Sequence, residues 1–248
     1  MTAEPATVSE GTLLGGRVKL RQPVAGYRVA IDPVFLAAAV PATAGDRILD
    51  IGCGAGAASV CLAARVPECR ITGIDRDREL VRLAVDNAAL NGMGARFDAM
   101  TGDLLRPPPR LEPGFDHVMA NPPHLAAGGA TPPPDPGRAA AHVEGAADLA
   151  AWIRFALMMV RNKGTITFVH RVDRLEALLV ELNGRAGEIV IFPLWPGGEK
   201  PAKRVLVRAR KGVATPTRLA RGLMLHEADG RYTAEAEAVL REGRALNL

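Results

Sequence analysis

Closely spaced glycines and nearby acids are the residues of this 248-residue chain whose types and spacing point to chemistry. The glycines, which follow the apolar segment 47–51, are Gly52, Gly54 and Gly56, and they let the backbone turn tightly and approach a ligand closely. A helix that begins directly after them directs its free N–H groups towards a carboxylate or a phosphate. Asp75 ends the next strand-like segment, where a carboxylate can accept hydrogen bonds from ribose hydroxyls. The spacing therefore predicts a nucleotide-type cofactor site.

A second motif, Asn-Pro-Pro-His at 121–124, follows the strand-like segment 115–120. Its two prolines fix φ and remove two backbone N–H donors.

The glycine turn alone leaves two classes of cofactor open. Gly52, Gly54 and Ala57 also satisfy the G-x-G-x-x-G/A pattern of dinucleotide-binding sites, which would suit a hydride-transfer enzyme. The Asn-Pro-Pro motif further along the chain favours the other class. Its alternative interpretation is a turn that merely ends a strand.

With these motifs in this order, the chain resembles the class I S-adenosylmethionine (SAM) methyltransferases, specifically the amino-methylating group whose motif is Asp/Asn-Pro-Pro followed by an aromatic residue. The resemblance is carried by the segment 49–56, Asp75, the pair at 102–103 and the motif at 121–123. It implies an α/β fold with a seven-stranded, mostly parallel Rossmann-like sheet, helices on both faces and an antiparallel last strand. It also implies SAM as cofactor and S-adenosylhomocysteine as product.

The resemblance assigns roles to individual residues. Methyl transfer to an exocyclic amine would take place at Asn121, Pro122, Pro123 and His124. The lone pair of such an amine is delocalised into its ring, so the Asn121 side-chain oxygen and the Pro122 carbonyl would accept its two N–H groups and align the lone pair with the methyl group. In the family the fourth position is usually Tyr or Phe, which stacks on a flipped-out base, so His124 departs from the pattern. The cofactor-binding residues would be Tyr27, Arg28, Asp32, Asp50, Gly52, Cys53, Gly54, Gly56, Asp75, Arg76, Asp103, Leu104 and Asn121.

The segment 26–32 resembles a second signature, found in bacterial tRNA adenine amino-methyltransferases just before the glycine turn. There a glycine, an aromatic and a basic residue lead into an acid and an apolar helix. Here we expect Asp32 to cap that helix, with Pro33 at its first position. An ordinary capped helix with an exposed arginine is the alternative. Residues 138–144 resemble an Arg-x-x-Ala-x-His-x-Glu element that follows the same family's catalytic motif.

Basic residues are concentrated in two stretches of this chain, whose net charge is +4. Segments 17–28 and 200–222 contain Lys and Arg but no acid. Such clusters suit the phosphate backbone of RNA, and a solvated basic face is the alternative. The predicted RNA-binding residues are Arg17, Lys19, Arg21, Lys200, Lys203 and Arg204.

Composition restricts the class of protein. A chain with 48% hydrophobic and 23% charged residues is globular rather than disordered. Its first residues do not show the basic and apolar regions typical of a secretory signal, and it has no apolar run of about 20 residues, so we expect no secretory leader, no membrane partner and a cytoplasmic location. The three cysteines should be reduced and buried, and the scattered histidines predict no metal site.

One domain with three regions is predicted. Residues 1–45 would form a tail, loose over 1–11, then a basic strand or hairpin and a helix beside the SAM pocket. Residues 46–212 would form the SAM-binding core, with helices over 76–91 and 146–161, and residues 213–248 a hairpin and short helix. The proline-rich loop 125–137 is predicted to be a substrate-side lid, against the alternative of an inconsequential insertion.

The leading functional hypothesis is methylation of the exocyclic amine of adenine in structured RNA, specifically tRNA. A protein glutamine N5-methyltransferase is the second hypothesis, although those enzymes carry a helical N-terminal domain that 45 residues before the glycine turn could not contain. The third is a SAM-binding fold that binds RNA without catalysis. The sequence leaves the oligomeric state open.

Overall fold

Strands and helices alternate through most of the chain in this computed structural model, which describes residues 8–24, 30–123 and 147–248. The strands are β1 (Val8–Leu13), β2 (Val18–Pro23), β3 (Arg47–Ile51), β4 (Arg70–Asp75), β5 (Phe97–Thr101), β6 (Phe115–Ala120), β7 (Val160–Arg171), β8 (Ala186–Trp195), β9 (Arg204–Lys211), β10 (Arg218–Leu219) and β11 (Leu223–Met224). The α-helices are α1 (Asp32–Ala39), α2 (Ala57–Arg65), α3 (Arg78–Leu90), α4 (Leu149–Met159), α5 (Leu175–Leu182) and α6 (Ala234–Glu242).

A central sheet with the strand order β10-β8-β9-β7-β6-β3-β4-β5 organises the fold, and β11 also pairs with β8. Neighbouring strands are parallel except β9, which is antiparallel to both β7 and β8. The predicted α/β sheet with seven main strands and an antiparallel last strand is confirmed, and the short strands β10 and β11 extend it. Because the carboxyl ends of parallel strands share one edge, the turns after β3, β4, β5 and β6 meet there.

Two hydrophobic cores cover the faces of the sheet. Adjacent residues of β3 point to opposite faces, so Ile48 packs with the layer of α1, α2 and α3 and Leu49 with the layer of α4 and α5. Both side chains are fully buried, as expected for a parallel strand covered on both sides. Within the described ranges, no helix is long and apolar enough to cross a membrane.

The N-terminal hairpin of β1 and β2 is a separate two-stranded sheet. The expectation of a loose tail is wrong for residues 8–11, because β1 pairs with β2 from Val8↔Pro23 to Leu13↔Val18. Residues 1–7 lie outside the described residues. The other edge of β2 packs on α3, where side-chain amides take the place of a neighbouring strand.

Side-chain caps make two helices shorter than the sequence predicts. The Asp77 carboxylate accepts the N–H groups of Glu79 and Leu80, so α3 begins at Arg78 rather than at 76. Asp148 accepts the N–H of Ala151 and starts α4, which ends where β7 begins at residue 160. An Asp that accepts N–H groups from the first turn stops the helix from extending backwards.

Candidate functional site

The glycine turn after β3 is held by its neighbours in the sheet. The N–H groups of Gly52 and Cys53 both donate to the Ile74 carbonyl, at 2.7 and 3.1 Å. Gly52, Gly54 and Gly56 have φ values of 68°, 54° and 82°, in the left-handed region that glycine adopts without strain. The Cys53 side chain is buried among Gly73 and Ala99, and burial raises the pKa of its thiol.

Asp75, at the end of β4, is joined to this turn. One carboxylate oxygen accepts the Gly54 N–H at 2.9 Å, and the other accepts the Asp77 N–H at 2.9 Å. Burial raises the pKa of Asp75, whereas these two hydrogen bonds act in the opposite direction. The carboxylate therefore braces the turn and retains acceptor capacity for a ligand.

Asp50 lies on β3, just before the glycine turn, and is 2% exposed. Its carboxylate accepts a 2.7 Å hydrogen bond from the hydroxyl of Ser59 in the first turn of α2. Burial raises the pKa of Asp50 to about 7; the Ser59 hydrogen bond opposes this, and the nearby charge of Asp75 adds to it. Asp50 therefore fixes the start of α2 relative to β3.

Helix α2 begins directly after the turn, with Gly56 at its N-cap. The first helical hydrogen bond is donated by the Val60 N–H to the Gly56 carbonyl. The preceding N–H groups of α2 thus lie at the carboxyl edge, next to the turn, with the positive end of the helix dipole. A nine-residue helix in this position suits an anionic group.

Two further predicted residues lie after β5. Asp103 is exposed, and one of its carboxylate oxygens accepts the Leu105 N–H at 2.9 Å. Leu104 is half-buried and packs against the core on the α4 side of the sheet. The neighbouring Gly102 donates its N–H to the Asp75 carbonyl at 2.8 Å, which connects this segment to the end of β4. Arg76 is exposed at the same edge.

The Asn-Pro-Pro segment follows β6 beside the glycine turn, because Ala120 pairs with Ile51. Pro122 is buried, and Asn121 and Pro123 are half-buried. The side-chain oxygen of Asn121 is buried and accepts no hydrogen bond from the described part of the chain. Such an acceptor costs about 1–3 kcal/mol when it stays unpaired, so a ligand N–H is its natural partner.

Trp152 on α4 is a residue of this site that the sequence analysis did not identify. Its side chain is only 9% exposed. Its ring packs so closely on Gly52 that a Cβ at that glycine would lie 2.4 Å from Cη2. The indole Nε1 is buried and finds no acceptor within residues 8–24, 30–123 and 147–248. Nothing in the sequence pattern distinguishes this tryptophan from an ordinary core residue.

Asp32 and Arg204 come together although 172 residues separate them. The Arg204 Nε donates to the Asp32 carboxylate at 2.9 Å, and the carboxylate is nearly buried. The expected capping role of Asp32 is wrong: α1 begins at Asp32 itself, and Ile31 occupies the N-cap. The remaining predicted residues Tyr27, Arg28 and His124, with segments 125–137 and 138–144, lie outside the described residues.

The predicted RNA-binding residues divide into exposed and engaged side chains. Lys19, Lys200 and Lys203 are exposed, and the last two lie in the turn between β8 and β9. Arg21 pairs with Glu10 across the hairpin at 3.1 Å. The guanidinium of Arg17 donates to the carbonyls of Leu14 and Glu242, so it closes the end of α6.

The turn of Lys200 and Lys203 lies on the same edge of the sheet as Asn121. Arg204 at the start of β9 pairs with Arg171 at the carboxyl end of β7. On the other side of β7, Phe168 pairs with Ala120, the residue before Asn121. The turn that contains the two lysines and the Asn-Pro-Pro segment therefore lie at the same edge of the sheet.

Comparison with known proteins identifies similar sequences and structures. A family model described as the methyltransferase small domain matches residues 28–132. The tRNA1(Val) (adenine(37)-N6)-methyltransferase of Aeromonas hydrophila is 27% identical over 209 residues, which cover 83% of this chain and 85% of that protein. The release factor glutamine methyltransferase of Deinococcus radiodurans is 38% identical over 79 residues, which cover 32% of this chain and 27% of that protein.

A solved structure agrees with the fold. The crystal structure of a predicted O-methyltransferase from Agrobacterium tumefaciens has a TM-score of 0.72 and 25% sequence identity, and the match covers 87% of this chain and 98% of that chain. The similarity therefore extends beyond the segment matched by the family model.

Proposed function

Because this chain is a class I SAM-dependent methyltransferase resembling the bacterial tRNA (adenine-N6)-methyltransferases, we propose that it methylates the exocyclic amine of an adenine in tRNA. The observation that carries the proposal is the buried side-chain oxygen of Asn121 at the carboxyl edge of the sheet, which has no hydrogen-bond partner among the described residues. An amine N–H satisfies this acceptor. A hydroxyl group that has lost its proton before methylation has no hydrogen left to donate to this oxygen. The site therefore favours nitrogen as the methyl acceptor.

The residues at the edge of the sheet fit SAM. Space beside Gly54 is open within the described part of the chain, since a Cβ there would meet none of its atoms within 4 Å. The first N–H groups of α2 suit the methionine carboxylate, and the acceptor capacity left on Asp75 suits the ribose hydroxyls. Asp103 and the backbone of Leu104 would border the adenine ring. When bound, SAM supplies an electrophilic methyl group on a sulfonium.

Asn121 and Pro122 would activate the acceptor amine. The Asn121 oxygen takes one N–H and the Pro122 carbonyl the other, which holds the lone pair out of the plane of the base. Positive charge that develops on the nitrogen is stabilised by the same two oxygens, already fixed by the proline backbone. The methylated nitrogen then loses one proton to solvent, so no group with a shifted pKa is needed before the transfer.

Exposed basic residues would hold the RNA backbone. Lys200 and Lys203 lie at the same edge of the sheet as Asn121, and Lys19 is exposed on the hairpin. Arg204, Arg21 and Arg17 already have protein partners and would contribute less. Phosphate contacts of this kind weaken as salt concentration rises, so RNA binding should fall steeply with ionic strength.

A protein glutamine amide is the second candidate acceptor, because it offers the same two N–H groups to Asn121 and Pro122. The match to the release factor enzyme supports it over 79 residues, whereas the match to the tRNA enzyme extends over 209. The longer match exceeds the predicted core 46–212 in length, so it extends into the flanking regions, whereas the fold of the core alone does not specify the substrate.

The test is transfer of labelled methyl from SAM to unmodified tRNA, followed by digestion and chromatography against N6-methyladenosine. We expect label in that nucleoside. Asn121→Ala should lower turnover by about 10²-fold with nearly unchanged SAM affinity, because it removes an interaction with the acceptor amine. Asn121→Asp is the matched control, since it keeps an acceptor oxygen and should retain most of the activity.

Three results would overturn the proposal. Label in a release factor glutamine, with none in tRNA, would select the second candidate. SAM binding with transfer to neither substrate would indicate a binding module. Equal turnover of the alanine variant and the wild type would show that the Asn121 oxygen does not contact the amine.

A further inference from the structure

Asn87 on α3 is fully buried and connects two parts of the chain that the sequence analysis treated separately. Its amide oxygen accepts the Arg21 N–H at 2.8 Å, and its amide nitrogen donates to the Arg21 carbonyl at 2.8 Å. The same nitrogen also donates to the carbonyl of Ala55 at 2.9 Å. One side chain therefore bonds the hairpin on one side and the glycine turn on the other.

The carbonyl that Asn87 holds lies in the middle of the cofactor turn. Ala55 stands between Gly54, whose N–H is held by Asp75, and Gly56, which caps α2. Helix α3 also supports Gly56 sterically, because a Cβ there would lie 3.1 Å from the Ala84 Cβ. Asp75 and α3 thus fix the turn from opposite sides.

The hydrogen bonds of the Asn87 side chain fix the positions of the backbone groups that it contacts. Both amide hydrogens are used by backbone carbonyls and the oxygen by a backbone N–H, so no polar atom is left unpaired. In a fully buried place, loss of any of these partners is costly, and the geometry is correspondingly rigid. The Ala55 peptide, whose orientation the cofactor site requires, cannot rotate without breaking a bond to Asn87.

Asn91, one helical turn later, provides a natural comparison. It makes the same pair of bonds to the hairpin, accepting the Lys19 N–H at 2.8 Å and donating to the Lys19 carbonyl at 2.7 Å. Its remaining hydrogen bond goes to the Asn87 carbonyl within α3 rather than to the glycine turn. The two asparagines therefore differ in whether they reach the cofactor site.

We propose that Asn87 is a positioning residue for SAM, which acts through the Ala55 carbonyl and makes SAM affinity depend on the docking of the basic hairpin. By linkage, SAM bound at the turn must in return stabilise the Arg21 segment of the hairpin. If the hairpin contacts tRNA, which rests on the proposed function, tRNA and SAM bind with positive cooperativity. The SAM half of the proposal does not depend on tRNA.

Calorimetry of SAM binding in the absence of tRNA tests the proposal, so its failure is distinguishable from failure of the proposed substrate. Asn87→Ala should weaken SAM binding by about tenfold and raise KM for SAM, with kcat at saturating SAM within about twofold of wild type. Asn91→Ala should leave SAM affinity within about twofold. If Asn87 had only a structural role, Asn87→Ala would lower thermal stability but would not raise KM for SAM while leaving kcat nearly unchanged.

A second measurement uses the unaltered protein and avoids any folding defect of a variant. Residue-resolved amide exchange is measured by NMR with and without saturating SAM. The Arg21 amide should exchange about tenfold more slowly with SAM, and the Lys19 amide should change by less than about twofold. Equal protection of both amides, or of neither, overturns the proposal, as does equal loss of SAM affinity in the two alanine variants.

Discussion

Gly52 and Gly54 allow a sharp test of the geometry of the turn, because the same substitution should have different consequences at each. Both glycines have positive φ, 68° and 54°, so alanine at either position carries the cost of the left-handed conformation, roughly 1–2 kcal/mol. A Cβ at Gly52 would also lie 2.4 Å from Trp152 Cη2 and 2.9 Å from Cζ3. A Cβ at Gly54 would meet no atom of residues 8–24, 30–123 or 147–248 within 4 Å.

Overpacking of a buried ring costs roughly 1–3 kcal/mol in addition to the backbone cost. Gly52→Ala should therefore lose roughly 2–5 kcal/mol of unfolding free energy, and Gly54→Ala roughly 1–2 kcal/mol. For a chain of this size, each kcal/mol corresponds to about 2–4 °C in Tm. The Tm of Gly52→Ala should thus lie about 2–12 °C below that of Gly54→Ala.

The loss of SAM affinity should follow the opposite order and be larger for Gly54→Ala than for Gly52→Ala. The methyl group of Gly54→Ala would occupy the space beside the turn where SAM is expected, so its main effect should be on SAM affinity, with a smaller loss of stability. Thermal unfolding by circular dichroism measures the first property and calorimetry the second. Equal Tm values would refute the packing of Trp152 on Gly52, and unchanged SAM affinity in Gly54→Ala would refute the placement of the cofactor beside it.

Two further predictions concern pH. Burial raises the pKa of Asp50 to about 7, so the free energy of unfolding should fall as pH rises from about 4 to 7, by up to about 1.4 kcal/mol per pH unit. In urea unfolding, Asp50→Asn should reduce this dependence, and a profile identical to that of the wild type would contradict it. Burial lowers the pKa of His117 despite its 3.2 Å contact with Asp46. Because the unfolded state then binds the proton more readily than the folded state, the free energy of unfolding should decrease as pH falls below about 6.5. The difference in unfolding free energy between wild type and His117→Gln should therefore be smaller at pH 5.5 than at pH 7.5, and a constant difference would show that His117 does not titrate with folding.

Much of the fold follows from local sequence patterns. Apolar segments of five or six residues, each followed by glycine, an acid or Asn-Pro-Pro, predicted β3, β4 and β6 and the order of the motifs after them. Because parallel strands share a carboxyl edge, the pattern also implied that these motifs meet. The boundaries of α3 and α4 were less accurate, because the caps at Asp77 and Asp148 lie within continuous helical patterns.

What the sequence by itself determined is the class of chemistry: glycines where the backbone needs positive φ, acids at strand ends, and prolines that fix two acceptors. These features are local, so they can be identified without knowing which segments touch. Only the tertiary structure decided that Trp152 packs on Gly52, that Arg204 pairs with Asp32, and that Asn87 joins the hairpin to the turn. Each of these contacts joins residues distant in the chain, and a buried amide or indole shows the same helical spacing as an ordinary core residue. Their partners are set by how the helices pack on the sheet, which periodicity alone does not specify.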